Sequence, residues 1–273
     1  MPATGQAWSR VTIPVSGHTN EGMALDIAAR IAEAFEAELN VLFAPADPAE
    51  LSPWLGEGFM GTVQMSTLDT LKAASEESEL AARAQFATTG YAKKVFSALE
   101  SPVWQDLAEE TRLSDLVVFG ETSAKGQGML SEAFQQVLME ERAGVFVARQ
   151  PLNVAGTAVV AWDGKEPSSR AARRAVPLLK KAAKVVVVGA PVGDSPAHLD
   201  RLASYYAAHG IAAQIDSFPK GEIHTQLADA CERHGADYMV AGAYGRSRLR
   251  EFAFGGTTRH LLQNTSINLY MAH

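Results

Sequence analysis

One cysteine in 273 residues, Cys231, excludes an intramolecular disulfide framework. No apolar run approaches the roughly 20 residues that cross a bilayer. The opening "MPATGQAWSR" has neither the basic start nor the apolar centre of a secretion signal, so a cytoplasmic location with no membrane partner is the expectation. Basic residues are also scarce, 24 Lys and Arg against 31 Asp and Glu. A net charge of -7 supplies no overall positive field for a phosphate backbone, and no nucleic-acid partner is expected. The seven histidines show no metal-ligand spacing, because His224 and His234 stand too far apart on their helix to pair. No Ser-His-Asp arrangement and no glycine-bounded nucleophilic serine is recognisable, which argues against an enzyme. Cys231, in "TQLADACERHG", suits the inner face of an amphipathic helix and reads as a small buried hydrophobe.

What remains is an ordinary globular composition, 47% apolar and 20% charged, long enough to bury a core without staples. It contains a repeat. "VTIPVSGHTNEGMALDIAARIAEAFEAELNVLFAPADP" is matched after the middle of the chain by "TAVVAWDGKEPSSRAARRAVPLLKKAAKVVVVGAPVGD". Ser16 falls opposite Asp163, and Ala44-Pro45 opposite Ala190-Pro191. Further on, "SDLVVFGETS" mirrors "ADYMVAGAYG", with Gly120 opposite Gly242, and "RAGVFVARQ" mirrors "TSINLYMAH". Between the Ala-Pro pair and the later glycine the first copy is longer by 24 residues. The surplus is assigned to 46–68, a Pro-, Gly- and Met-rich stretch expected to form a loop or lid. Two domains follow, 1–150 with that insertion and 155–273, joined near "RQPLNVAG".

Each copy alternates apolar runs such as "VVAW", "KVVVVGA" and "DYMVAG" with segments of helical spacing. Near-continuous apolar strands indicate a sheet covered on both faces, hence mostly parallel with crossover helices. The predicted fold is α/β: two tandem doubly wound, Rossmann-like domains, each a mostly parallel five-stranded sheet flanked by helices. Ser195 with Pro196 is expected to open one helix, and Gly210 and Gly235 to close two.

Ligands of such sheets bind beyond the carboxyl ends of the strands, where the strand order reverses. In the second copy those ends carry Asp163, then Val188 and Gly189, then Gly242 and Gly245 of "GAYGRSRLREFAFGGTTRHLL". Gly255 and Gly256, followed by Thr257 and Thr258, can open a helix whose free N–H groups favour an anion. Plainer readings stand beside these. Asp163 can cap its helix or hold an Asp-Gly turn. The late glycines can serve only tight packing, and Arg246, Arg248 and Arg250 can be a solvated basic face. Arg259 and His260 can meet a phosphate or only solvent.

Gly242, Gly245 and Gly255, with two and then nine residues between them, resemble the nucleotide-binding signature of the universal stress protein family. Asp163 after the first strand, the duplication and the terminal "INLYMAH" fit the same family, and the resemblance covers both copies. It implies ATP, with or without magnesium, bound in the second domain. Asp163 would hold the adenosine portion, Val188 and Gly189 would line the adenine site, and Gly242 and Gly245 would border ribose and phosphates. Gly255, Gly256 and Thr257 would hold phosphates, with Thr258 as a further hydroxyl and Arg246 as the arginine best placed to reach them. It also implies a nucleotide-responsive stress regulator with protein partners, compatible with slow ATP hydrolysis. The two domains would pair through their last strands within one chain, with a further homodimer compatible.

The chain departs from the family where Gly256 replaces a Ser or Thr after the last glycine. A lost hydrogen bond to a charged oxygen costs about 1.5–3 kcal/mol unless Thr257 or Thr258 replaces it. In the first copy Ser16 replaces the aspartate and Ser123 the second glycine, so that copy reads as degenerate. Two other functions remain open: a protein-interaction module whose ligand sites have both decayed, and a small-molecule binder in the first domain's cleft. The latter would use Trp54, Phe59, Met60 and Met65 of the insertion.

Overall fold

The computed structural model describes residues 8–45, 61–191, 197–219, 221–243 and 256–273. The first half runs β1 (Arg10–Val15), α1 (Gly22–Phe35), β2 (Glu38–Phe43), α2 (Gly61–Thr88), β3 (Lys94–Ala98), α3 (Val103–Arg112), β4 (Leu116–Gly120), α4 (Glu121–Ala124), α5 (Ser131–Met139) and β5 (Val145–Ala148). The second runs β6 (Thr157–Ala161), α6 (Glu166–Arg174), α7 (Val176–Leu179), β7 (Lys184–Gly189), α8 (Ala197–Ala208), β8 (Ala213–Ser217), α9 (Ile223–His234), β9 (Tyr238–Gly242), α10 (Gly256–Asn264) and β10 (Asn268–Ala272).

The strands form one sheet of ten in the order β3-β2-β1-β4-β5-β10-β9-β6-β7-β8. Every pairing is parallel except that between β5 and β10. Each half is thus a five-stranded doubly wound unit, and the two meet edge to edge. Central strands such as β4 and β7 are buried along nearly their whole length, because helices cover both faces. One apolar layer packs under α1, α6, α7 and α8, the other under α3, α5, α9 and α10.

Ala148 pairs with Gly120 and Ala272 with Gly242, which makes these alanines equivalent. On that count Phe146 and Tyr270 are also equivalent, and they face each other across the β5–β10 seam. A local two-fold therefore passes between them, and the contact is isologous within one chain. The side chain of Asn268 extends the seam: its Oδ1 accepts from Arg149 N (2.8 Å), and its Nδ2 donates to Gln150 O (3.1 Å) and Asp237 O (3.0 Å). Trp8 closes the same region, stacked on Tyr270 at 6.4 Å and tilted against Phe35 at 4.5 Å.

Local signals held where a turn demanded them. Gly235 ends α9 at φ +58, where Ala236 N reaches back to Cys231 O (2.9 Å), and Gly210 follows α8 at φ +77. Ser195 and Pro196 lie outside the described residues. Two expectations need correction. Residues 61–68 are not loop, since they begin α2, a helix of 28 residues against 12 in its counterpart α8. The Ala-, Glu- and Leu-rich run after Thr70 is a strong helix former and carries the helix back into the segment read as irregular. Residues 46–60, including Trp54, Phe59 and Met60, lie outside the described residues. "PSSRAARRAVPLLKKA", whose helical spacing leads one to expect a single helix, is also not one: Pro177 supplies no N–H, and the segment breaks at Ala175 into α6 and α7.

Candidate functional site

β6 has β7 on one side and β9 on the other, so the strand order reverses at β6. Above the strand ends lies a cavity of about 550 Å³, within the range of small-ligand sites. Trp162, Asp163 and Lys165 line it from the β6 side, with Pro167 and Ser168 of α6. Val188, Gly189, Ala190 and Pro191 come from the end of β7, and Ala241 and Gly242 from the end of β9. Phe218, Ile223, Leu227 and Leu261 make an apolar wall, and Gly256, Thr257 and Thr258 bring the first turn of α10 to the rim. Seven of the ten residues expected at the site thus share one cavity. Gly245, Arg246 and Gly255 lie outside the described residues, as do Arg248 and Arg250.

Asp163 is engaged by its own turn. Its Oδ1 accepts from Lys165 N (3.0 Å) and Ser168 Oγ (2.6 Å), and its Oδ2 lies 3.2 Å from Lys165 Nζ. Burial alone would raise the carboxyl, but the hydrogen bonds from Ser168 and Lys165 and the Lys165 charge together hold it below its ordinary value. The turn-holding role is therefore real, whereas α6 has Lys165 at its N-cap and no side-chain cap bond. That role leaves Oδ2, half of a partly exposed ion pair, as the oxygen able to exchange partners.

The glycines divide. A Cβ on Gly189 would run into the main-chain oxygen of Trp162, and one on Gly242 into the main chain of Pro167 and Ser168. Both are required by strand and helix packing whether or not a ligand is bound. Among the described residues, a Cβ on Gly256 would meet nothing within 4 Å. As the first residue of α10, Gly256 leads a helix start whose unpaired N–H groups suit an anion. Arg259 is exposed, whereas the ring of His260 packs on that of His224 at 3.8 Å. Cys231 is buried, its thiol pushed up to about 12 by desolvation. Among the described residues no cluster of three His, Cys, Asp or Glu could hold a metal, and no helix is long and apolar enough to cross a membrane.

The first half presents a different arrangement at the equivalent place. Ser16 stands where Asp163 stands, and Glu21 where Ser168 stands. Ser16 Oγ donates to Glu21 Oε1 (2.6 Å), as Ser168 Oγ donates to Asp163 Oδ1 (2.6 Å). The carboxylate–hydroxyl pair is kept with its members exchanged. Glu21 also accepts from Ser16 N (2.9 Å) and Gly17 N (3.0 Å), so it takes up donors at the end of β1. Burial raises its carboxyl despite those bonds. Above it α2 presses the main chain of Ser78 against Gly17, and Asn20 Nδ2 bridges to Thr122 Oγ1 (3.0 Å).

Reading the sequence for acidic residues alone missed this exchange. Serine then glutamate in one copy, against aspartate then serine in the other, at the same spacing of five, would have shown it. Trp162, Lys165, Phe218, Ile223 and Leu227 were also missed, since an apolar wall made from several elements leaves no linear pattern.

No family model matches the chain, and no curated protein matches it. Among solved structures, a universal stress protein from Archaeoglobus fulgidus DSM 4304 is similar over 96% of this chain and 97% of its own, with TM-score 0.63 and 17% identity. A functionally unknown protein from Pseudomonas aeruginosa PAO1 is similar over 97% and 92%, with TM-score 0.57 and 13% identity. A putative universal stress protein from Pseudomonas aeruginosa UCBPP-PA14 is similar over 97% and 93%, with TM-score 0.56 and 16% identity. The chain has the universal stress protein fold, in two tandem copies.

Proposed function

We propose that this chain is a tandem universal stress protein whose second half binds an adenine nucleotide, ATP foremost, and that it acts as a nucleotide-responsive regulator rather than as a catalyst. One observation carries the reading. At the strand-order reversal of the second half a cavity of about 550 Å³ joins an apolar wall, a carboxylate and a helix start. These match the three parts of a nucleotide: a flat base, a ribose with hydroxyl donors, and an anion. In this reading the base lies along Val188 and Gly189 against Phe218 and Leu227, and Asp163 accepts from the ribose. Gly242 keeps the entry narrow, and Gly256, Thr257 and Thr258 meet the phosphates with backbone N–H and hydroxyl groups. Gly245, Arg246 and Gly255 belong to the same cradle by sequence. Magnesium, where it accompanies ATP, would be held mainly by the phosphates. The first half serves as the structural partner, its equivalent donors already satisfied by Glu21.

Calorimetric titration with ATP, with and without magnesium, tests this. Saturable binding at about one site per chain is expected, weakened tenfold or more by Asp163→Ala, a loss of about 1.4 kcal/mol. Absence of heat and of thermal shift at millimolar ATP would overturn it and favour a protein-interaction module.

A further inference from the structure

Arg149 is the first residue after β5 and belongs by sequence to the first half, yet its side chain is spent on the second. Nη1 donates to Leu261 O (2.8 Å), Thr265 O (2.6 Å) and Thr265 Oγ1 (2.5 Å), and Nη2 donates to Leu262 O (2.6 Å). These acceptors lie at the carboxyl end of α10, where the last carbonyls of a helix have no partner within it and a cation is favoured. A planar guanidinium that reaches several carbonyls at once constrains how a helix is turned as well as where it ends. Its main chain is anchored in turn, since Arg149 N donates to Asn268 Oδ1 (2.8 Å) and Asn268 Nδ2 donates to Asp237 O (3.0 Å). A second tether runs from Gln263 Nε2 to Lys125 O (3.1 Å), again from α10 to the first half.

Burial draws the guanidinium down to about 10, opposed by the Glu121 carboxylate, so it remains charged at neutral pH. Among the described residues its Nε is buried without a partner, a cost the side chain carries to place its Nη groups. The residue equivalent to Arg149 in the second half is His273, whose Nδ1 meets the Ala243 carbonyl oxygen at 3.0 Å.

The other end of α10 brings Gly256, Thr257 and Thr258 to the cavity. A nine-residue helix is short and stiff, so its orientation at the carboxyl end sets where its first N–H groups point. We propose that Arg149 is a positioning residue through which the first half sets the aim of α10, and with it the strength with which the second half grips the anionic part of its ligand. This rests on the nucleotide reading. It explains why the two halves are fused edge to edge although one half has its own donors occupied.

The test compares wild type, Arg149→Met and Arg149→Lys, titrated with ATP and with adenosine. Arg149→Met is expected to lose tenfold or more in ATP affinity while adenosine affinity changes less than twofold, and Arg149→Lys to recover part of the ATP affinity. Equal losses for both probes, or no loss for either, overturn the proposal. Amide hydrogen exchange without ligand reads the same clamp separately: Leu261 and Leu262, in the hydrogen-bonded body of α10, should exchange faster in Arg149→Met while β6 and β7 keep their protection. Unchanged or globally raised exchange overturns the clamp. Wild-type protein that takes up neither probe overturns the nucleotide reading, and the clamp then stands or falls on the exchange rates.

Discussion

At the turn after their first strand, the two halves use the same two chemical groups in opposite order. In the second half the short carboxylate stands on the strand end, half exposed, with one oxygen committed to Ser168 and Lys165 N and the other facing a lysine. In the first, the longer carboxylate of Glu21 reaches back from the helix side and is half-buried against three donors of the β1 end. A covering helix completes the contrast. α2 lays Ser78 on Gly17, whereas among the described residues the nearest atom to a Cβ on the equivalent Gly164 is a ring carbon of His198, 4.0 Å away. A duplicated site can thus diverge without losing its local hydrogen bonds. The charge moves across the turn, and the cleft above one copy is taken by the protein itself.

The comparison can be broken most severely at the two turn glycines. Both have left-handed backbones, Gly17 at φ +85 and Gly164 at φ +72. Alanine at 164 should cost about 1–2 kcal/mol from the backbone alone. Alanine at 17 adds collision with the Ser78 main chain, for a total of roughly 3–5 kcal/mol. Urea midpoints of the two variants measure the gap, and equal shifts would mean that α2 does not press on this turn.

A smaller separation is expected at the strand-end glycines. A Cβ on Gly242 would strike the first turn of α6, whereas among the described residues one on Gly120 would meet only Ala24 Cβ, at an ordinary 3.8 Å. Gly242→Ala should lose about 2–3 kcal/mol, and Gly120→Ala within about 0.5 kcal/mol. Thermal unfolding of both variants reads this directly, and a harmless Gly242→Ala would show that the α6 start can withdraw.

The smallest effect sharpens the comparison through pH. Asp163 is held below its ordinary carboxylate value, so its stabilisation is complete above that value and fades as pH falls through the depressed native one. Glu21 is raised, so its contribution is present below its ordinary value and is lost as pH rises through the native one. The stability difference between wild type and Asp163→Asn should therefore grow as pH rises through the acid range, and that for Glu21→Gln should shrink. Amplitudes of about 0.5 kcal/mol suffice to read the signs, since Asp163 is largely solvent-screened. Slopes of the same sign would contradict the exchanged pair.

Much of this was legible in the chain. Strands such as β4, β7 and β9 are continuous apolar runs bounded by turn residues, so the doubly wound class was legible, while the strand order was not. The repeat placed Gly120 opposite Gly242 and Ser16 opposite Asp163, and both correspondences hold in the sheet register. Cys231 and the Gly210 and Gly235 helix ends were equally plain, because each depends on a few neighbouring residues.

The tertiary structure alone decided the rest, and for one reason: those features join groups far apart in the chain. Gly242 is fixed by Pro167 and Ser168, Gly17 by Ser78, and Gly189 by Trp162. Arg149 reads in sequence as a residue near the end of the motif "RAGVFVARQ", and only the antiparallel seam brings it to α10, more than a hundred positions later. Local propensity and period determine which segments are strands and helices, since they act within one turn or one pleat. Which carboxylate is the more enclosed, which glycine is obligatory and which helix is clamped depend on distances that only the folded sheet sets.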